Sequence, residues 1–145
     1  MIRSILLSAL GFILGLIVGG AVNMGIIIGG GALLPPPAGV DVNDIESINA
    51  HIKEYSVLQL MVPFLAHAVG TFVGALLASR IAPNRAKVPA LLIGLMFLAG
   101  GTMAVKMIPN APMWFNTLDL CVAYLPMAWL GYMLANARST KTSRT

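Results

Sequence analysis

Six polar side chains, Asn23, His67, Thr71, Lys106, Asn116 and Asp119, are set inside or at one end of otherwise apolar runs. An ionisable group in such a run costs about 2.5–3.5 kcal/mol or more unless it is paired, so each of them raises a question of function. Asp119 and Lys106 carry opposite charges and are expected to pair, and the Lys106 stem is long enough to carry its ammonium toward headgroups as well. Asn23 and His67 are expected to share a hydrogen bond, with Thr71 one helical turn below His67. Together these groups can form a polar pocket for a small solute, a proton or a lipid headgroup. They can equally act as interhelical hydrogen bonds that hold a bundle together, each worth about 0.6–2 kcal/mol. An acid–base enzyme would use His67 and Asp119. No nucleophile motif, metal set or cofactor loop accompanies them, and their expected depths differ too much for direct cooperation.

The elements that position these groups follow from composition. Of 145 residues, 58% are hydrophobic and only 10% charged, and the mean hydropathy is +0.87. Soluble chains carry about 25% charged residues, so this is read as a membrane protein. Four apolar stretches, Ser4–Leu34, Val57–Ser79, Val88–Met107 and Met113–Ala135, reach the roughly 20 residues needed to cross a hydrocarbon core. Repeated spans of this length are helical, because lipid offers no partner to an open backbone. The expected fold is therefore all-α: a four-transmembrane-helix bundle forming a single integral membrane domain, residues 1–145. Arg3 before the first run resembles the start of a signal peptide, but the run outlasts the ~7–15 residues of such a segment, so it is read as an uncleaved first helix.

Between spans one and two, Gly29-Gly-Gly31 and Pro35-Pro-Pro37 turn the chain. Asn43 and Glu46 fit a capping box, and Ile45, Ile48, Ile52 and Tyr55 recur at helical spacing. A short amphipathic interfacial helix over residues 43–55 is expected there, as a connector or near the mouth of a pocket. The other connections are short, and Pro63 and Pro126 fall inside spans two and four as sites of kinks. Trp114, Trp129, Tyr124 and Tyr132 read as a set that includes interface anchors. Gly11, Gly15 and Gly19 on span one, and Ala66, Gly70, Gly74 and Ala78 on span two, repeat every four residues. Such stripes let two backbones approach closely, and their expected use is packing of spans one and two. Asn23 continues the glycine stripe and so should face the bundle.

Arg3, then Arg80, Arg85 and Lys87, then Arg138, Lys141 and Arg144 fall on one side of this topology, with Lys53 and Lys106 on the other. The positive-inside rule then places both termini in the cytoplasm, in a multi-pass protein of the cell inner membrane. The net charge of +4 is read as topology and contact with anionic lipid, not as nucleic-acid binding. Two histidines and one cysteine leave too few ligands for a metal centre, and no cofactor is expected.

Val22-Asn-Met-Gly25, Pro63-Phe-Leu-Ala-His67 with Gly70-Thr71, Pro112-Met-Trp-Phe-Asn116 with Leu118-Asp-Leu120, and Tyr124-Leu-Pro-Met-Ala-Trp-Leu-Gly131 resemble a family of small four-span bacterial membrane proteins. The resemblance runs over nearly the whole chain. It implies the fold and supplies no activity, substrate or site, since that family consists of hypothetical proteins. Three functions follow as expectations. The first is a non-enzymatic accessory or scaffold protein that binds a membrane partner or itself. The second is a small transporter or channel using the polar cluster. The third is a membrane enzyme with His67 and Asp119 as acid and base.

Overall fold

The computed structural model describes residues 1–137. The basic tail residues Arg138, Lys141 and Arg144 lie outside the described residues. Helix α1 covers Ile2–Leu33, α2 Ile45–His51, α3 Val57–Ile81, α4 Lys87–Met107, α5 Met113–Val122 and α6 Leu125–Ala137. The protein is all-α, and four spans are long and apolar enough to cross a membrane: α1, α3, α4, and α5 with α6.

Local chemistry fixes the ends. α1 runs through Gly29, Gly30 and Gly31 and stops at Leu33, because the residue before Pro35 is driven out of the helical region and the prolines offer no N–H to continue it. The expected cap at Asn43 is corrected by one residue. Asp44 is the N-cap, its carboxylate accepting from the Glu46 N–H, while the Asn43 N–H donates to Asp41. A capping box does exist at Ser56 and Gln59, at the start of α3. The Gln59 side chain also donates to the Pro35 carbonyl, tying the two ends of the connection together. On the same side, Asn110 donates two hydrogen bonds to Asn49, its N–H to Asn49 Oδ1 at 3.0 Å and its Nδ2 to the Asn49 carbonyl at 3.1 Å. These link α2 to the turn between α4 and α5.

α3 lies at the centre and packs against α1, α4 and α6. Its contact with α1 is antiparallel, and backbone sets the spacing. A Cβ placed on Gly11, Gly15 or Gly19 would lie 2.7, 2.6 or 2.7 Å from the carbonyl oxygens of Ala78, Gly74 and Gly70. α6 approaches the opposite side of α3 in the same way, with Gly131 against the Phe72 carbonyl. The interior is consequently built of small groups: Ala66, Ala75, Ala78, Ala90 and Ala128 are fully buried, with Ile93 among them. In lipid, this close packing supplies association that the hydrophobic effect does not.

The fourth span is not one helix. It breaks at Ala123 and Tyr124, because Pro126 has no N–H for the Val122 carbonyl and its ring crowds that carbonyl.

Candidate functional site

Depth comes first. Taking about 1.5 Å per residue, His67 lies roughly 15 Å along α3 from Val57, Asp119 roughly 9 Å along α5 from Met113, and Asn23 roughly 15 Å from the far end of α1. All three belong to the end of the bundle that carries α2.

There, α3 and the broken fourth span form a network. Asp119, 3% exposed, receives the His67 ring nitrogen Nδ1 at 2.8 and 3.0 Å on its two oxygens. The Tyr124 hydroxyl donates to Asp119 Oδ2 at 2.7 Å and lies 3.0 Å from His67 Nδ1. The imidazole and phenol rings tilt against each other with centroids 5.6 Å apart. These contacts correct two expectations. Asp119 pairs with His67 and not with Lys106, which is exposed at the end of α4. His67 and Asp119 are also not separated in depth; they touch.

The protons can be placed. With Asp119 ionised, its carboxylate only accepts and takes the Tyr124 hydroxyl proton, so its contact with Nδ1 requires the Nδ1–H tautomer of His67. A carboxylate behind one imidazole nitrogen fixes the tautomer and leaves Nε2 with a free lone pair. Nε2 has no hydrogen-bond partner among the described residues. His67 is 23% exposed at its side chain and lines a cleft of about 150 Å³ together with Asn23, Phe97, Gly100, Gly101 and Tyr124.

The other expected residues fall at different distances from this centre. Asn23 reaches the cleft and packs at Gly70, but no hydrogen bond joins it to His67. Thr71 is 1% exposed and its hydroxyl is buried without a partner. Asn116 is half-buried and its side chain takes no part in the network. Of the helix-packing residues, Gly70 and Gly74 face α1, and Ala66 is fully buried on α3.

Two participants were not among the expected site residues. Tyr124, read from sequence as part of the anchor set, is 1% exposed. In an unbroken helix, residues five apart point about 140° from each other, so Asp119 and Tyr124 would face different neighbours. The break at Ala123 and Tyr124 lies between them, and the Tyr124 hydroxyl reaches Asp119 across it. Gly101 is the second. Any side chain there would overlap the Tyr124 hydroxyl, so a bare α4 backbone at this level is a condition of the network.

Among the described residues no group of three or more metal-ligating side chains forms, and no serine, threonine or cysteine hydroxyl or thiol bonds to His67. The arrangement can hold and release a proton at Nε2 and accept a hydrogen bond there. No family model, curated protein or solved structure matches this chain.

Proposed function

We propose that this chain is a transporter-type protein of the cell inner membrane, with both termini cytoplasmic, that takes up a proton or a proton-donating small solute at His67. The observation that carries the reading is the His67 ring on the cleft, its Nδ1 held by Asp119 and its Nε2 without a hydrogen-bond partner among the described residues. Ionisable networks within spans mark proton and solute pathways by default. Arg3, Arg80 and Lys87 at the opposite end of the bundle support the orientation. Inward of the cluster, Ile93 and Phe97 fill against Gly15 and Gly19, so passage needs a rearrangement of helices, which favours a transporter over an open channel.

The test is an acid step applied to proteoliposomes that enclose a pH-sensitive dye. Wild type is expected to admit protons at least tenfold faster than protein-free vesicles, and Asp119→Asn to fall to that background while remaining folded. Wild-type rates equal to protein-free vesicles overturn the reading. Misfolding of Asp119→Asn assigns the cluster to structure.

A second reading, an accessory or scaffold protein, draws on α1. Its only buried residues are Gly11, Gly15 and Gly19, and Ile13, Ile17, Met24 and Ile28 stand exposed to lipid or to a partner helix. Native mass spectrometry of protein taken from its own membrane distinguishes the two: a reproducible heteromer supports the accessory reading, and a lone monomer opposes it.

A further inference from the structure

The shape of the cleft determines how a ligand can reach it. α1 and α4 meet where Ile93 approaches Gly15 and Phe97 approaches Gly19. Farther out they part, leaving Asn23 on α1 and Gly100 and Ala104 on α4 around the opening. Gly100 and Ala104 are exposed, and a Cβ on Gly100 would meet no atom within 4 Å. Met24 and Met103, which flank this level, are apolar and outward-facing, at 56% and 66% exposure. The cleft therefore opens between α1 and α4 beside apolar side chains that face outward from the bundle.

A ligand that arrives through hydrocarbon is uncharged, because an ion there carries a large desolvation cost. What the cleft offers is an acceptor at His67 Nε2, the Asn23 amide, and the apolar faces of Phe97 and Tyr124. The Asp119 charge is already met by two donors and does not call for a cation. The volume sets the size: about 150 Å³ is the size of an apolar protein cavity that holds one benzene ring.

We propose that this cleft binds the neutral hydroxylated ring of a bilayer-soluble molecule, its hydroxyl donating to His67 Nε2 and its tail leaving between α1 and α4. The proposal rests on the reading that Nε2 is the working acceptor of the protein.

The experiment places the 15N-histidine-labelled protein in phosphatidylcholine nanodiscs and follows the His67 Nε2 resonance during titration with 4-hexylphenol, phenol and hexylbenzene. A saturable shift with 4-hexylphenol is expected, at least tenfold weaker with phenol at equal aqueous concentration, and absent with hexylbenzene. Gly100→Leu, whose Cβ meets no atom within 4 Å, should weaken 4-hexylphenol binding at least tenfold with an unchanged melting temperature. No saturable shift with 4-hexylphenol, or an equal one with hexylbenzene, overturns the proposal. Phenol binding as tightly as its alkylated form, or a folded Gly100→Leu that binds normally, overturns the sideways route. A protein that admits protons through His67 yet ignores 4-hexylphenol overturns this ligand alone; one that does neither overturns the functional reading with it.

Discussion

The two halves of the bundle solve the same problem with different chemistry. Toward the end with Arg3, α1 and α3 are joined by Gly11, Gly15 and Gly19 against Ala78, Gly74 and Gly70, backbone on backbone. Toward the other end, α3 and the fourth span are joined by His67, Asp119 and Tyr124. The first seam gains from contact distance alone. The second depends on four polar atoms, His67 Nδ1, both Asp119 oxygens and the Tyr124 hydroxyl, and it leaves a fifth, Nε2, without a hydrogen-bond partner among the described residues.

The largest effect is expected where the contrast is sharpest. Gly15→Leu drives a side chain into the Gly74 carbonyl, and overpacking of this kind costs about 1–3 kcal/mol or more. Thermal unfolding in detergent should show a large loss, or no folded protein. Gly20→Leu, where a Cβ meets nothing within 4 Å, should leave the transition in place. Equal losses at both positions would break the distinction between the packed stripe and the lipid face.

A smaller effect belongs to the polar seam. Tyr124→Phe removes one hydroxyl and preserves the ring against Gly101, so a loss of about 1 kcal/mol is expected, with the His67–Asp119 contact retained. An unaltered His67 resonance together with an unaltered melting temperature would remove Tyr124 from the network. The smallest effect is expected at Lys106. Exposed and unengaged with Asp119, Lys106→Ala should leave both melting temperature and His67 resonance unchanged. A marked loss would restore the lysine as the partner of Asp119.

Much of the fold was legible in the residues. Spans placed at Val57–Ser79 and Val88–Met107 end within two residues of α3 and α4, because their boundaries are set by hydropathy and by proline and capping residues, all local signals. That His67 and Asp119 lie inside spans was equally plain. Their partnership was not. Opposite charge favoured Lys106 for Asp119, but Lys106 sits where its stem can reach headgroups and lower its own cost, while His67 has no such exit. The cap shifted from Asn43 to Asp44 for a similar reason: Asp41 holds the Asn43 backbone and side chain, which spacing within the chain does not reveal.

The sequence by itself determined that the chain is helical, that it presents four spans, and which residues are costly to place among them, since hydropathy, helix breaking and ion desolvation act residue by residue. Only the tertiary structure decided who meets whom. The Tyr124 hydroxyl meets Asp119 across the break before Pro126, and His67 lies on a cleft shared with Asn23 of α1 and Gly100 of α4. The second is a relation between elements far apart along the chain, and in both cases distance and direction decide what one-dimensional spacing leaves open.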